Sequence, residues 1–455
     1  MLKLTTIVHE EAKATKKLLD DISLKQASSE HYDRLLKFLN SLCDEVIELT
    51  NAIGLYLSST NDPQQKEVLQ TWLIFGSYVI RQINDYCSSF EHAEILSVPT
   101  AIRLLLNKLL TAVTNRKAFI IRGDTEFNYT YQPIGARLNE LALQLSRSIT
   151  PLEESFAVLI FPIAYSKNVM ADCNLVHEMG HLIVDGEKLT VKLESSLPPE
   201  LKKTVADTIE RHARNGKQLN FYFVQRKDKM NQILNHWIHE TLADFVAILL
   251  IGPCSLFSFM KLIEPLGAHD RDDDEHPCTS IRIKMMLAIL QKLKWDDVIN
   301  KECPHVWKRA IEIASRGRHS DPEYNAAAEC LPLIEDYIYN VALALCNRYV
   351  YAPNKFIAVK EDIYALLERG IPPAEKCASS STLGAVDIID PESIINGGWI
   401  FYENDFPKWN DFYGKLDHTE KTDFLNRLIG KAIEVSFVEE ARNKDGSTCS
   451  KSDTQ

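Results

Sequence analysis

The chain has 455 residues, a formal net charge of −12 and a pI near 5.6. Hydrophobic residues make up 45% of it and charged residues 25%, which is typical of a globular protein with a large core. The acidic balance argues against nucleic acid or an anionic membrane as the main partner, and no run of about 18 apolar residues predicts a membrane-spanning helix.

The N-terminal residues lead into a charged run without the apolar core of a secretory signal. The ten cysteines are scattered along the chain, and none of them forms a CxxC pair. This pattern favours reduced thiols over a disulfide framework or a cysteine-ligated metal site. We therefore expect a cytoplasmic protein.

The first part of the chain has the periodicity of helices. Apolar residues recur at spacings of three and four over residues 31–57, 68–83 and 101–113, which predicts a helical region over residues 1–115. Residues 117–121 and 127–131 can form strands, and residues 156–161 are the strongest strand of the chain. Pro162 either ends a core strand or marks an edge strand, and a free edge could bind an extended peptide by strand addition.

The pattern after residue 303 is mostly helical again. Residues 397–413 are rich in aromatic residues and are predicted to be a loop that packs between helices. Residues 442–455 are polar and are predicted to be a disordered tail. The predicted division is therefore 1–115, 116–295, 296–441 and 442–455. The predicted fold class is α+β, predominantly helical, with a small antiparallel sheet.

The motif His177-Glu178-Met179-Gly180-His181 has the spacing HExxH. On a helix its two histidines lie one turn apart on the same face and can bind one zinc ion, while Glu178 can reach a water held by that ion. Apolar residues at helical spacing around the motif predict such a helix. The alternative for the motif alone is a buried helix with two ordinary histidines, so a third ligand has to be found.

A second, largely apolar segment, His236–Leu250, supplies the candidate. Its Glu240 and Asp244 lie four residues apart on one face of a predicted buried helix, and buried carboxylates need a partner or a metal. Glu240 can be the third zinc ligand. Asp244 can accept the second ring proton of a zinc-bound histidine, which fixes the tautomer of that histidine. Three protein ligands leave a fourth position for water, which is the catalytic arrangement.

HExxH followed about 60 residues later by ExxxD on a second helix resembles the gluzincin metallopeptidases, the thermolysin-like superfamily. The resemblance covers roughly residues 155–290. It implies a zincin-like core within residues 116–295, with His177, His181 and Glu240 as zinc ligands. It also implies that Glu178 is the base and that Asp244 contacts a zinc-bound histidine. Several gluzincins also place a histidine or an arginine beyond the second helix to hold the oxyanion, and His276 and Arg282 are the matching residues.

Other interpretations of these side chains stay open. His276 could instead cap the next helix, and Arg282 could pair with the acidic loop before that helix. His239, next to Glu240, could contact a zinc ligand, and either His239 or His236 could be a surface residue.

The predicted function is a zinc-dependent hydrolase, a metallopeptidase that cleaves a peptide or protein substrate. In the predicted mechanism Glu178 assists attack by a zinc-bound water. The helical flanks could also bind a protein partner. The alternatives are an inactive or latent zincin scaffold that binds a partner, and a zinc hydrolase of non-peptide amides.

Overall fold

The computed structural model describes residues 1–25, 30–59, 62–92, 99–114, 117–126, 128–146, 148–152, 155–214, 220–264, 273–316, 321–376, 387–404 and 416–449. Its α-helices are α1 Leu2–Lys25, α2 Glu30–Leu57, α3 Pro63–His92, α4 Thr100–Val113, α5 Gly135–Leu145, α6 Asn174–Gly186, α7 Leu189–Ser196, α8 Pro199–Arg214, α9 Asn220–Ile251, α10 Cys254–Ile263, α11 Thr279–Lys292, α12 Trp295–Glu302, α13 Pro304–Ala314, α14 Pro322–Cys346, α15 Pro353–Ile357, α16 Lys360–Glu368, α17 Pro391–Glu403 and α18 His418–Cys449. Its strands are β1 Lys117–Asp124, β2 Thr130–Pro133 and β3 Ser155–Pro162.

The chain forms two compact units, of which the first comprises Met1–Val98 and Arg116–Phe161. Helices α1, α2 and α3 pack together because each has an apolar face at helical spacing. Their buried leucines, valines and isoleucines form one core with residues of α5 and β3. The three helices predicted before residue 115 are therefore present as α2, α3 and α4, although α4 belongs to the second unit.

The three strands form a sheet in the order β1-β3-β2, so β3 is the central strand. Pro133 pairs with Ala157 and Thr130 with Ile160 in the antiparallel β2–β3 ladder. All residues from 156 to 161 are buried, as expected for a strand covered on both faces. The edge-strand interpretation of this segment is therefore wrong, and Pro162 ends a core strand.

The fold is predominantly helical with a small sheet, in agreement with the predicted α+β class. The sheet is mixed, so the predicted antiparallel arrangement holds for the β2–β3 pair and is wrong for the sheet as a whole. The physical reason is the long connection between β1 and β3. It contains β2 and α5, and a connection of that length permits a parallel pairing that a tight hairpin does not.

The second unit comprises Pro99–Asn115 and Pro162–Gln455 and is built around α9. This helix packs against α6, α8, α11 and α14. Every residue from 240 to 251 is buried, because apart from Glu240 and Asp244 this part of α9 carries no charge. Two carboxylates thus lie inside an otherwise apolar helix, and they need compensation.

Two C-terminal predictions differ from the structure. Residues 391–403, whose second half was predicted to be part of an aromatic loop, form α17, and Trp399 packs there against Phe257 with ring centroids 6.2 Å apart. The rest of that predicted loop, residues 405–413, lies outside the described residues. Helix α18 extends to Cys449, over the start of the predicted disordered tail, and residues 450–455 are not described.

The predicted division at residues 115, 295 and 441 remains a prediction about regions of sequence, whereas the two units follow from contacts between elements. In the described part of the chain, no helix combines the length and the apolar character needed to cross a lipid bilayer.

Candidate metal centre

Helix α6 carries His177, Glu178 and His181 in a buried environment. Ten of its thirteen residues are buried, and Glu178 is 7% exposed. The start of the helix is fixed by Asn174, whose Nδ2 donates a hydrogen bond of 3.2 Å to the carbonyl oxygen of Ser258 in α10. The two histidines therefore lie one turn apart on a helix whose position is set by its neighbours.

Gly180 allows α6 and α9 to approach closely. A Cβ atom at this position would lie 2.8 Å from the carbonyl oxygen and 3.1 Å from the Cα of Ala243. Real side chains do not tolerate contacts this short, so only glycine fits at the crossing. The crossing places Glu240 of α9 beside the two histidines of α6.

The three predicted metal ligands come together in this structure. His177 Nε2 lies 3.1 Å from His181 Nε2, His181 Nε2 lies 3.2 Å from Glu240 Oε1, and His177 Nε2 lies 3.4 Å from Glu240 Oε2. Among the described residues, His177, His181 and Glu240 form the group that could hold a metal ion. The identity of that metal is a separate question.

The geometry of the cluster fits a small cation with nitrogen and oxygen ligands. Zinc bonds of about 2.0–2.1 Å in a tetrahedron separate the ligand atoms by about 3.3–3.4 Å. The observed separations are 3.1–3.4 Å. Glu240 Oε2 is also buried and has no hydrogen-bond partner among the described residues. The nearest cationic groups, His177 Nε2 and Arg282 Nη1, lie 3.4 and 3.7 Å from this oxygen. A cation bound between the three side chains would compensate the buried carboxylate more fully.

The Nδ1 atom of His177 is directed towards a carboxylate. It lies 2.8 Å from Asp244 Oδ1, and Asp244 is 1% exposed. Arg282 of α11 holds the same carboxylate, because its Nη2 donates to Oδ1 at 2.7 Å and its Nε donates to Oδ2 at 3.0 Å. The guanidinium also lies 4.4 Å from the ring centroid of Phe259. Asp244 is thus placed to orient His177, as predicted. Arg282 in turn holds Asp244 through these two hydrogen bonds.

His181 is oriented by His239, which the sequence offered as a residue that could contact a ligand, and by Asp185, which the sequence did not single out. Its Nδ1 lies 3.1 Å from Nδ1 of His239, whose Nε2 lies 2.7 Å from Oδ1 of Asp185. Asp185 was absent from the predicted site. The available signal was its position four residues after His181, which places the two side chains on one face of α6.

Burial and charge shift the pKa values of the cluster in opposite directions. Burial lowers the pKa of His177, but the carboxylates of Asp244 and Glu240 together outweigh burial and raise it to about 10. Burial lowers the pKa of His181 to about 3. Burial raises the pKa of Glu178 to about 7, with partial opposition from His177. For Glu240, neighbouring histidines outweigh burial and hold its pKa well below the ordinary value.

His276 lies at the outer side of the cluster. Its side chain is 51% exposed, and its Nε2 is 4.0 Å from Glu240 Oε1. The loop that carries it is folded by Asp273, whose Oδ1 accepts hydrogen bonds from the backbone nitrogens of Glu275 and His276 at 2.8 and 2.5 Å. The helix-cap alternative is not observed, because α11 has no side-chain cap. Residues 269–272 of the predicted acidic loop, which spans residues 269–277, lie outside the described residues.

Comparison of the chain with known proteins finds no matching family model, no matching curated protein and no matching solved structure. The functional information about this chain therefore lies in its motif and in the geometry of the cluster.

Proposed function

We propose that this protein is a zinc-dependent hydrolase and that its activity is the cleavage of peptide bonds by a gluzincin-type mechanism. The observation that carries the proposal is the convergence of His177, His181 and Glu240, with Glu178 buried on the same helix. Three protein ligands with an intervening glutamate are the donor set of a catalytic zinc centre. Zinc bound there would acidify a water molecule and polarise the carbonyl group of the substrate.

Glu178 is the proposed base. A general base works best when its pKa lies near the pH of the reaction, and burial raises the pKa of Glu178 to about 7. Its carboxylate would accept a proton from the attacking water and later deliver that proton to the leaving amine. Asp244, held by Arg282, would keep the ring of His177 in one orientation.

His276 is the better candidate for the residue that stabilises the oxyanion. Its Nε2 approaches the cluster from the half-exposed side, where a substrate carbonyl can enter. Arg282 is 13% exposed and is held by two carboxylates, since it donates two hydrogen bonds to Asp244 and its Nη1 lies 3.7 Å from Glu240 Oε2, so less of its hydrogen-bonding capacity is left for a substrate. We propose peptides or proteins as substrates, with neither nucleic acid nor a membrane surface as partner. A cytoplasmic location and a protein partner at the helical flanks remain predictions.

The test compares the wild type with Glu178→Gln, which retains the size of the side chain but removes the base. Zinc content is measured first, and a proteome-derived peptide library is then analysed by mass spectrometry for cleavage. We expect zinc in both proteins and cleavage only by the wild type, with the rate in the variant lower by about 10²–10⁴-fold. Glu187→Gln, the same change just after α6, is the matched control and should keep full activity.

Other results point to the alternatives. A wild-type protein that binds zinc but cleaves no peptide would favour the scaffold, or a hydrolase of non-peptide amides if such substrates are turned over. A protein that binds no zinc after reconstitution, or a Glu178→Gln variant with full activity, would overturn the proposal.

A further inference from the structure

We infer that His239 and Asp185 form a positioning relay that holds the metal ligand His181 in the tautomer that exposes its Nε2 lone pair. The inference rests on the zinc-binding part of the proposed function. It concerns two residues that are not themselves ligands. The three side chains are connected by two short contacts, His181 Nδ1 to His239 Nδ1 at 3.1 Å and His239 Nε2 to Asp185 Oδ1 at 2.7 Å.

The direction of the two hydrogen bonds follows from the carboxylate. An ionised carboxylate only accepts, so the proton in the contact with Asp185 belongs to His239 Nε2. A neutral imidazole with its proton on Nε2 has an unprotonated Nδ1, which is an acceptor. His181 must then donate from its own Nδ1. Its Nε2 is left with a lone pair, and this is the atom that lies 3.2 Å from Glu240 and 3.1 Å from His177.

The backbone supports this arrangement independently of the hydrogen bonds. Asp185 lies four residues after His181 on α6, and His239 precedes Glu240 on α9, so the relay connects the two helices that carry the ligands. The rings of His181 and His239 are nearly parallel, with an angle of 14° and centroids 4.9 Å apart. Rotation of the His181 ring would break the contact with His239, so the relay restricts this rotation as well as the tautomer.

The two histidine ligands are thus oriented in different ways. The carboxylate behind His177 is 1% exposed, whereas the side chains behind His181 are 27% exposed for His239 and 45% exposed for Asp185. Substitutions at the half-exposed positions remove the polar contact without opening a cavity in the core. His239 and Asp185 can therefore be changed with little risk to the fold.

The test uses the full-length variants His239→Phe and Asp185→Asn. Phenylalanine keeps an aromatic ring beside His181 but provides no acceptor. The matched control is His236→Phe, one turn earlier on α9, where the ring contacts the backbone oxygen of Asp274. Zinc affinity is measured by competition with a chelator, the visible spectrum of the cobalt-substituted proteins reports ligand geometry, and ¹⁵N shifts of labelled histidine report the tautomer in the metal-free protein.

We expect His239→Phe to weaken zinc binding by about 10–100-fold and to alter the cobalt spectrum, with a smaller change in the same direction for Asp185→Asn. His236→Phe should stay within about twofold of the wild type, well below the effect expected for an orienting residue. In the metal-free wild type, His181 should carry its proton on Nδ1, and this preference should be lost in His239→Phe.

The inference is overturned if folded His239→Phe binds zinc as tightly as the wild type, or if His181 carries its proton on Nε2. Failure of the relay and failure of the proposed hydrolase function give different experimental results. Weaker zinc binding in the variants of a protein that cleaves nothing supports the relay and contradicts the hydrolase. If the wild type binds no zinc, the proposed function fails and the tautomer of His181 still decides whether the relay exists.

Discussion

Two groups of buried polar side chains in the second unit satisfy their hydrogen bonds in different ways. In α17, Asn396 accepts a hydrogen bond from the backbone nitrogen of Cys254 at 2.9 Å and donates to the carbonyl oxygens of Ile251 and Glu392, both at 2.7 Å. The Glu392 carboxylate accepts from Lys108 at 2.8 Å. Each of these groups has a partner within the protein, so this cluster is complete as it stands.

The cluster of α6 and α9 is not complete in this sense. Glu240 is as buried as Glu392, at 7% exposure each, yet its Oε2 has no hydrogen-bond partner among the described residues. Two imidazole nitrogens and this carboxylate converge within 4.8 Å. The comparison teaches that burial of a glutamate does not by itself indicate a metal site. The indication is the convergence of two imidazole nitrogens and a carboxylate at separations that fit one metal ion.

The two clusters should differ most in zinc affinity when the glutamate of each cluster is removed separately. Glu240→Ala should reduce zinc affinity by about a thousandfold, because it removes one of three protein ligands from a centre whose binding free energy is on the order of 10 kcal/mol. Glu392→Ala, the matched control, should leave zinc affinity unchanged. Zinc titration with circular dichroism as a test of folding measures both. Tight zinc binding by folded Glu240→Ala would contradict the proposed ligand set.

The pH dependence of zinc binding tests whether His177 is one of the ligands. The pKa of His177 is raised to about 10 by Asp244 and Glu240, so below that pH the metal-free protein holds a proton that zinc must displace. Burial holds the pKa of His181 near 3, so that ligand adds no competing proton above pH 4. Affinity should therefore rise with pH, about tenfold for each unit between pH 5 and 8. An affinity independent of pH over this range would contradict the assignment of His177.

Substitution of Asp244, which contacts His177, should have a smaller effect on zinc binding than loss of Glu240. Asp244→Asn keeps the size of the side chain and removes the charge that orients His177, so zinc affinity corrected for the proton that His177 binds should fall by about 10–100-fold. The effect should lie clearly between that of Glu240→Ala and that of Glu392→Ala. Chelator competition under the conditions used for Glu240→Ala provides the measurement, and an unchanged affinity would show that Asp244 does not act on the metal centre.

The smallest effect on zinc affinity is expected for a substitution in the cluster of Asn396 and Glu392. Asn396→Ala leaves the backbone nitrogen of Cys254 and the carbonyl oxygen of Ile251 without their partners, at a cost of about 2–4 kcal/mol in the free energy of unfolding. The melting temperature should fall, while zinc affinity of the folded protein stays within about twofold of the wild type. A loss of zinc without a loss of stability would mean that the two clusters are coupled.

The sequence was sufficient for several of the helices and for the three side chains that converge in the cluster. Apolar periodicity predicted α2, α3, α4 and α6, because a helix buried on one face repeats its apolar residues every three to four positions. The spacing of His177 and His181 and the two carboxylates of α9 indicated the same cluster that the structure brings together. These features depend on residues within one or two turns of each other, and local spacing is what a sequence displays directly.

The tertiary structure decided what depends on distant parts of the chain. Strand β3 is central because both β1 and β2 pair with it, and no local signal separates that case from an edge strand ended by Pro162. Arg282 is engaged with Asp244, 38 residues away, and Asp185 meets His239 across 54 residues. Such contacts are set by how helices cross, here by the close approach of α6 and α9 at Gly180, and this crossing is a property of packing and not of spacing along the chain.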